Sequence, residues 1–431
     1  MTNAPDSNSS KGFRPERAFA EQLDASDPLS TLRERFELPR RPDGTPITYL
    51  CGNSLGLMPS TARGLVEQEL EDWSKLAVEG HFEANRPWYS YHEQFRETGA
   101  RLVGANPGEV VMMNSLTVNL HFLMVSFYRP TNTRTKVLIE DGAFPSDTYA
   151  VQSHLAARGI DPDANLVRCS PREGEDLLRI EDIEQTIAEL GDELALVMFG
   201  GVNFRTGQLL EMKRITAAAH QAGALCGFDL AHAAGNVIMK LHDWNVDFAC
   251  WCSYKYLNSG PGALAGAFVH ERHGADLSTP RFAGWWGNDP ETRFKMQEID
   301  QFIPRNGADG WQVSNPPILA AAPLVASMTI FDEVGMDALV TKSRSLTGYL
   351  EFLLDETLTD ECTMITPRDP AQRGCQISVR VHDRPRERFD RLRPAGITCD
   401  FRHPDVIRLA PVPLYNTFVD VHETARVLGA T

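Results

Sequence analysis

Two polar side chains close strongly apolar segments, and their spacing could bring them into one site. Asp229 follows the run Leu225–Phe228, and Lys255, within a Ser-Tyr-Lys-Tyr segment, follows the run Phe248–Cys252. The length of chain between them corresponds to about one crossover unit, so we expect two neighbouring parallel strands. Ligands of an open α/β sheet bind beyond the carboxyl ends of its strands, which is where both side chains would then lie.

This lysine–aspartate pair matches the chemistry that pyridoxal phosphate (PLP) requires. A buried lysine beside aromatic rings has its charged form disfavoured, so its amine can act as a nucleophile and bind the cofactor. An aspartate can keep the pyridine nitrogen protonated, so that the ring accepts electrons. A structural ion pair between two strand ends would have the same spacing, and the pattern alone leaves both interpretations open.

A threonine at the start of a helical segment provides a candidate phosphate site. Leu116-Thr117 follows the strand-like run Val110–Met113 and precedes the apolar segment Leu120–Phe127. Backbone N–H groups at a helix start can bind an anion. Thr117 could equally be an ordinary N-cap residue, since that role uses the same position.

Two other motifs are weaker. The glycines within residues 260–266 are spaced wrongly for a dinucleotide-binding fingerprint and precede a strand rather than a helix. His270 and His273 have metal-like spacing but lack a third ligand close by in the sequence, so we expect surface histidines and predict no metal site.

The surrounding sequence alternates between buried strands and amphipathic helices. Short apolar runs predict strands at Val110–Met113, Lys136–Glu140, Leu194–Phe199, Leu225–Asp229, Phe248–Ser253 and Ala265–His270. Helical periodicity predicts helices at about 60–77, Ile180–Leu190 and Leu209–Ala222. The alternation predicts an α/β fold with a large, doubly wound, mostly parallel sheet.

The pattern changes at Asn315-Pro316-Pro317, where we place the end of the large domain. A long helical stretch, about Leu319–Leu354, is expected next, followed by strands at 376–381, 397–401 and 406–409 and helices near 384–392 and 418–428. We therefore expect a disordered tail over 1–12, an N-terminal segment over 13–59, a large cofactor-binding domain over 60–315 and a small α+β domain over 316–431.

Composition excludes several classes of protein. The 431 residues carry 42 basic and 58 acidic side chains, a net charge of −16, which argues against nucleic acid as the main partner. The N-terminus has neither a basic start nor an apolar stretch, so no signal peptide is expected, and the longest apolar run is too short to span a membrane. The scattered cysteines fit a reduced, cytoplasmic protein.

Several motifs, in order from about residue 49 to the C-terminus, resemble those of kynureninase. They are Tyr49-Leu50-Cys51-Gly52-Asn53-Ser54-Leu55-Gly56-Leu57, Gly80-His81 with Arg86-Pro87-Trp88, Met113-Asn114 with Leu116-Thr117-Val118-Asn119-Leu120, Phe144-Pro145-Ser146-Asp147, Gly227-Phe228-Asp229-Leu230-Ala231-His232, Cys252-Ser253-Tyr254-Lys255-Tyr256-Leu257-Asn258, Gly284-Trp285-Trp286-Gly287, Ser314-Asn315-Pro316-Pro317 and Arg408-Leu409-Ala410-Pro411-Val412-Pro413-Leu414-Tyr415. The Asp–His and Tyr–Lys motifs by themselves indicate only a PLP enzyme, whereas the whole set is specific for kynureninase.

The resemblance implies a fold-type-I PLP enzyme, similar to aspartate aminotransferase, that forms a homodimer with active sites at the subunit interface. It implies hydrolysis of L-kynurenine to anthranilate and L-alanine, and of 3-hydroxykynurenine to 3-hydroxyanthranilate and alanine, in tryptophan catabolism. The alternative is another fold-type-I enzyme, such as a cysteine desulfurase or an aminotransferase. A desulfurase would need a reactive cysteine on a flexible loop, for which Cys362 and Cys375 are the only candidates.

The resemblance also implies residue roles. Lys255 would bind the cofactor and move the α-proton, Asp229 would pair with the pyridine nitrogen, and Tyr254 would donate a proton. The cofactor would further contact Leu116, Thr117, Phe144, Pro145, Ser146, Asp147, His232, Trp285 and Asn315, with Trp285 reaching across the dimer. The substrate would contact Asn53, Ser54, His81, Ser314, Asn315 and, through its α-carboxylate, Arg408.

Single positions refine these expectations. Similar sequences usually have Ser or Thr at the position of Gly200, so the missing hydroxyl is expected to weaken cofactor binding by about 1 kcal/mol. Family members that favour 3-hydroxykynurenine carry His, Ser and Asn at the positions of His81, Ser314 and Asn315, as this chain does. We therefore expect it to favour the 3-hydroxy substrate.

Overall fold

The computed structural model describes residues 12–358 and 360–430. The expected tail over 1–12 therefore lies outside the described residues except for Gly12. The largest sheet has seven strands, namely β1 (Val110–Met113), β2 (Lys136–Glu140), β3 (Leu166–Cys169), β4 (Leu194–Gly200), β5 (Leu225–Asp229), β6 (Phe248–Trp251) and β7 (Ala265–Val269).

These strands lie in the spatial order β1-β7-β6-β5-β4-β2-β3. Neighbours from β6 to β3 are parallel, and β7 alone runs antiparallel to both of its neighbours. Parallel order brings the carboxyl ends of β2, β4, β5 and β6 to one edge of the sheet. That edge is where the polar residues expected in the site emerge.

Helices cover both faces of this sheet, because its central strands are apolar on both sides. One apolar core joins the sheet to the helices Arg96–Val103, Ile180–Leu190 and Met212–Gln221. The opposite core contains the helices Leu116–Phe127 and Pro145–Ala157. The predicted doubly wound, mostly parallel architecture is confirmed.

A smaller antiparallel sheet follows along the chain. Its strands are β8 (Cys362–Met364), β9 (Ile377–Val381), β10 (Asp400–Arg402) and β11 (Val406–Leu409), in the order β8-β9-β11-β10. Its apolar face packs against residues of four helices, which are Arg17–Ser26, Met336–Thr357, Pro385–Leu392 and Phe418–Gly429.

The N-terminal residues contribute short strands to this framework. Thr48–Tyr49 pairs in parallel with Ile397–Thr398, and Phe36–Glu37 pairs antiparallel with Met58–Pro59. The helix Ala62–Leu76 follows, and single-turn helices occur at Gly80–Glu83, Pro162–Asn165 and Glu271–Gly274.

The long helical stretch expected over 319–354 is two helices rather than one. Ile318–Val334 and Met336–Thr357 meet at an angle of 85°, because Gly335 adopts φ +76° and ends the first helix. Within residues 12–358 and 360–430, no single helix meets the length and hydropathy requirements of a membrane span; these two meet them only when taken together across the bend.

Candidate active site

A cavity of about 290 Å³ lies beyond the carboxyl ends of β2, β4, β5 and β6. Most of the residues expected to bind cofactor line it. The lining consists of Asn53, Ser54, Leu116, Thr117, Glu140, Phe144, Ser146, Asp147, Gly200, Val202, Phe204, Asp229, Ala231, His232, Tyr254, Lys255 and Arg402.

Lys255 lies in the loop after β6, and its amine points toward a histidine. Lys255 Nζ is 3.0 Å from His232 Nε2 and 5.9 Å from the centre of the Phe144 ring. Burial, and next the charge of Lys255, lower the pKa of His232 well below its usual value. The imidazole is therefore neutral, and its Nε2 accepts a hydrogen bond from the lysine amine.

Two buried carboxyl groups face this lysine. Asp229 ends β5, and its Oδ1 accepts a hydrogen bond of 2.6 Å from the Ala231 N–H. Asp147 comes from the first turn of the helix Pro145–Ala157. Burial raises the pKa of both carboxyls, and the charge of Asp229 raises the pKa of Asp147 further. The Ala231 N–H, in contrast, lowers the pKa of Asp229 against the effect of burial.

Two helix starts form the opposite side of the cavity. Thr117 lies in the first turn of Leu116–Phe127 and Ser146 in the first turn of Pro145–Ala157, with their hydroxyl oxygens 3.0 Å apart. The N-cap residue of the first helix is Ser115, so Thr117 does not have the ordinary capping role. Converging helix starts that each carry a hydroxyl favour an anion such as phosphate.

Sequence reasoning missed Glu140, a buried carboxyl that closes β2. It accepts hydrogen bonds from the Gly200 N–H at 3.3 Å and from Asn203 Nδ2 at 2.9 Å. Burial raises its pKa to about 7. A Cβ on residue 200 would lie 2.8 Å from Glu140 Oε1, so glycine leaves the space that this side chain occupies. The signal was available, because Glu140 closes an apolar strand as Asp229 does.

Arg408 lies beside the cavity rather than in its lining. It is buried in β11, where it donates to the Phe204 carbonyl at 2.6 Å and pairs with Asp400. Burial lowers its pKa to about 10, so it remains charged at neutral pH. A solvent-facing strand arginine, which the alternating pattern also allowed, is excluded. Arg402, which was not predicted, is the arginine that lines the cavity.

Besides Arg408, five predicted site residues are absent from the lining of this cavity, and one of them is Pro145, between the lining residues Phe144 and Ser146. His81 lies 5.5 Å from Trp88, and Trp285 lies 4.7 Å from Trp286, as ring-centre distances. Ser314 and Asn315 are exposed. Asn53 and Ser54, in contrast, do line the cavity, and Asn53 Nδ2 donates to Gln376 Oε1 at 2.9 Å.

The chain is similar to known proteins over most of its length. A family model described as the kynureninase C-terminal domain matches residues 339–428. The kynureninase of Myxococcus xanthus is 54% identical over 416 residues, which cover 96% of this chain and 97% of that one. The kynureninase of Koribacter versatilis is 55% identical over 404 residues, covering 94% and 95%.

The chain belongs to the kynureninase family. Solved structures with the same fold are more distant. A cysteine desulfurase from Thermococcus onnurineus NA1 has a TM-score of 0.72 at 17% identity, covering 95% of this chain and 97% of that one. A variant of C-DES with glycine covalently linked to its PLP cofactor has a TM-score of 0.74 at 17% identity, covering 92% and 98%. These structures confirm the fold-type-I architecture. At this level of identity they show the fold only and do not indicate desulfurase activity.

Kynureninases are PLP-dependent hydrolases that act on carbon–carbon bonds, and the cavity fits that cofactor. Asp147 Oδ1 and His232 Nδ1 are buried without a hydrogen-bond partner among the described residues. Unpartnered buried polar atoms are unfavourable, and polar groups of a bound cofactor would satisfy them. Lys255 would bind the aldehyde, Asp229 the ring nitrogen, Phe144 the ring face, and Thr117 with Ser146 the phosphate.

Proposed function

We propose that this chain hydrolyses the β–γ carbon–carbon bond of L-kynurenine, releasing anthranilate and L-alanine. The observation that carries the proposal is the convergence of Lys255, Asp229 and Thr117 in one cavity of a chain 54% identical to a kynureninase. 3-Hydroxykynurenine would be cleaved in the same way, to 3-hydroxyanthranilate.

The mechanism assigns separate tasks to the residues of the cavity. Bound PLP supplies an electron sink for the substrate's α-carbon. Lys255, whose hydrogen-bond partner is a neutral imidazole rather than a carboxylate, removes and returns the α-proton. Asp229 holds a proton on the ring nitrogen, because its carboxylate is fixed by the Ala231 N–H.

Tyr254 is the proposed proton donor to the carbon that is left when the aryl acid departs. It lines the cavity next to Lys255, and burial raises the pKa of its phenol above the usual value. The phenol therefore keeps its proton at neutral pH until the strongly basic carbon that the departing aryl acid leaves behind takes it. Thr117 and Ser146, which line the same cavity, would hold the cofactor by its phosphate.

The test is Lys255→Ala, assayed by release of anthranilate from L-kynurenine. We expect turnover and the visible absorbance of the lysine-bound cofactor to be lost, because no neighbour can supply both the amine and the base. Lys213→Ala, an exposed lysine on the helix Met212–Gln221, should behave as wild type. More than about a thousandth of the wild-type activity in Lys255→Ala would contradict the assignment.

A homodimer with shared active sites is the proposed assembly. His81, Trp285, Ser314 and Asn315 do not line their own chain's cavity, and we propose that a second copy brings them to it. Large apolar side chains near His81 are exposed, including Trp73 at 59% and Phe82 at 60%. Exposed apolar patches of this kind mark interaction surfaces.

Mixing two inactive variants tests the shared site. If Trp285 acts across the interface, a hybrid of Lys255→Ala and Trp285→Ala subunits contains one site with both changes and one site with neither. Activity should therefore return to as much as half of the wild-type value per hybrid dimer. If Trp285 acts within its own subunit, both sites of the hybrid carry one change, and no activity returns.

A preference for 3-hydroxykynurenine is proposed from His81, Ser314 and Asn315. In a site that binds an aryl hydroxyl, the polar groups of the protein are left unpaired when the substrate has no hydroxyl. Each buried unpaired group costs about 1–3 kcal/mol of binding free energy. We expect wild type to have the higher kcat/KM on the 3-hydroxy substrate. The double change His81→Trp and Asn315→Thr should reverse or abolish the preference, and an unchanged ratio would rule out these residues.

The proposed location is the cytoplasm. All eight cysteines are free thiols, six of which are buried, as suits a reducing compartment.

A further inference from the structure

Two arginines beside the cavity share one carboxylate. Asp400 and Arg408 are directly opposite each other on the paired strands β10 and β11, and their side chains form an ion pair. Arg402, two residues after Asp400, donates to the same carboxylate oxygen at 3.0 Å. Two guanidinium groups and one carboxylate leave one positive charge without a counter-ion in this group.

Each of the two arginines also has a hydrogen-bond donor that is not used. Within the described part of the chain, the Nε atoms of Arg402 and Arg408 are buried and have no hydrogen-bond partner. A buried donor at a charged group is costly to leave unpaired, so an acceptor that reaches both atoms would be strongly favoured. An anionic acceptor would also neutralise the remaining charge.

The position of this group relates it to the reacting centre. Arg402 lines the cavity that contains Lys255, and Arg408 lies behind it. The charges of both arginines reach His232, where they add to the effects of burial and of Lys255. An amino acid whose nitrogen took the position of the Lys255 amine would thus have its carboxylate within the field of both guanidinium groups.

We propose that Arg402 and Arg408 together bind the α-carboxylate of the substrate, with Asp400 as the positioning residue that orients both. The inference deepens the proposed function, which assigned Arg408 alone, and it rests on that function in taking an amino acid as the substrate. Arg402 makes the contact from the cavity side, and Arg408 contributes from the buried side. The incoming carboxylate balances the charge and occupies the unpaired donors.

The experiment compares holoenzyme variants in both catalysis and ligand binding. Arg402→Gln should raise KM for L-kynurenine by about tenfold or more, with kcat changed much less. The reason is that the hydrogen bonds to the charged carboxylate are lost equally in the substrate complex and in the transition state. Arg380→Gln is the matched control, since Arg380 lies in β9 of the same sheet and pairs with Asp176 instead.

Binding of two small amines separates carboxylate recognition from general damage. Titration of the cofactor absorbance with L-alanine should show a Kd raised about tenfold or more in Arg402→Gln, while ethylamine, which lacks the carboxylate, should bind as in wild type. Arg402→Lys should recover part of the loss, and Asp400→Asn should weaken alanine binding without weakening ethylamine binding.

The outcomes that overturn the inference are distinct from failure of the proposed function. An unchanged KM and alanine Kd in Arg402→Gln, or equal weakening of alanine and ethylamine, would remove Arg402 from carboxylate binding. If wild type fails to cleave kynurenine, the proposed function is wrong. The alanine and ethylamine titrations still decide the role of Arg402 in that case.

Discussion

Three buried carboxyl groups, Glu140, Asp147 and Asp229, share the cavity with Lys255. Burial raises the pKa of each, so they cannot all be ionised together at neutral pH without further positive charge. Asp229 has the hydrogen-bond support of a backbone N–H, which favours its charged form over that of Asp147. A protonated ring nitrogen would therefore pair with Asp229, while Asp147 remains a neutral donor.

This division of roles makes two similar substitutions differ. Asp229→Asn should still retain some cofactor but lower the rate by at least about a hundredfold, since the ring nitrogen would lose its proton. Asp147→Asn should reduce the rate much less, because an amide resembles the neutral acid that it replaces. Single-turnover rates and cofactor content measure both effects, and a near wild-type rate for Asp229→Asn would contradict the electron-sink assignment.

Gly200 gives a second residue-level prediction. The sequence led us to expect weaker cofactor binding for want of a hydroxyl, whereas the structure shows that Glu140 occupies the space that a side chain would need. Gly200→Ser should therefore lower cofactor affinity instead of improving it. In a Glu140→Ala background the same change should be tolerated. Additive effects in this double-mutant cycle, measured as cofactor Kd, would show that the two positions do not interact.

At the scale of the elements, glycines allow large aromatic rings to pack between neighbouring strands of the main sheet. Gly266 of β7 lies opposite Trp251 of β6, and Gly227 of β5 lies opposite Phe248 of β6. A Cβ on residue 266 would lie 2.0 Å from the Trp251 ring, and one on residue 227 would lie 2.1 Å from the Phe248 ring. The strands can be apolar and close-packed only because these positions have no side chain.

Gly266→Ala should lower the free energy of unfolding by about 1–3 kcal/mol, because a buried ring must leave its packed position. Gly64→Ala is the matched change, since Gly64 is exposed in the helix Ala62–Leu76 with open space around it. It should raise stability by up to about 1 kcal/mol. Denaturant unfolding of both variants gives the comparison, and equal effects would contradict the packing argument.

The elements themselves were predictable where burial is uniform. The strands Val110–Met113 and Leu225–Asp229 and the helix Ile180–Leu190 were predicted with their observed bounds, because apolar runs and a regular helical stripe determine them. The edge strand Leu166–Cys169 was missed, since it is short and Arg168 is exposed within it. The bend at Gly335 was missed because the segments on both sides of it have helical patterns.

Residues of the candidate site were predictable where they lie at the end of a predictable strand or at the start of a predictable helix. Asp229, Lys255 and Thr117 were found because each follows or begins a clearly patterned element. Glu140 was missed through incomplete use of the same rule. The places of Trp285 and Asn315 would depend on how two copies associate in the proposed dimer, and a pattern within one chain carries no information about that geometry.

At the scale of the whole molecule, the apolar cores of the two sheets favour a domain boundary that differs from the one expected after residue 315. The helix Ile318–Val334 packs in the core of the large sheet, and Met336–Thr357 packs in the core of the small sheet. Residues near the N-terminus also pack in that second core. We propose that the large unit ends near Gly335 and that much of 13–59 folds with the C-terminal residues.

Acid stability is a property of the whole fold that one residue can control. His92 is buried, and burial lowers its pKa to about 3. Between the unfolded value of about 6.5 and the folded value, only the unfolded chain binds the proton, so stability falls as pH falls through this range. His92→Phe should remove this loss, which is about 2–3 kcal/mol at pH 4.5.

Unfolding free energies at pH 7.5 and 4.5 provide the measurement. The decrease between the two pH values should be smaller in His92→Phe than in wild type, whatever the absolute stability of the variant. His382→Gln, at an exposed position of the small unit, should leave the decrease unchanged. An identical pH dependence in wild type and His92→Phe would show that His92 titrates normally.

The contact between the first and last helices has a consequence for biosynthesis. Asp24 in the helix Arg17–Ser26 accepts hydrogen bonds from the N–H groups of Phe418 at 2.7 Å and Val419 at 3.1 Å, 394 and 395 positions further along the chain. At roughly 5–20 residues per second, translation reaches those residues some 20–80 s after Asp24 has been made. The helix Arg17–Ser26 is therefore made long before its partner, and the small sheet is completed only after Val406–Leu409 has been made.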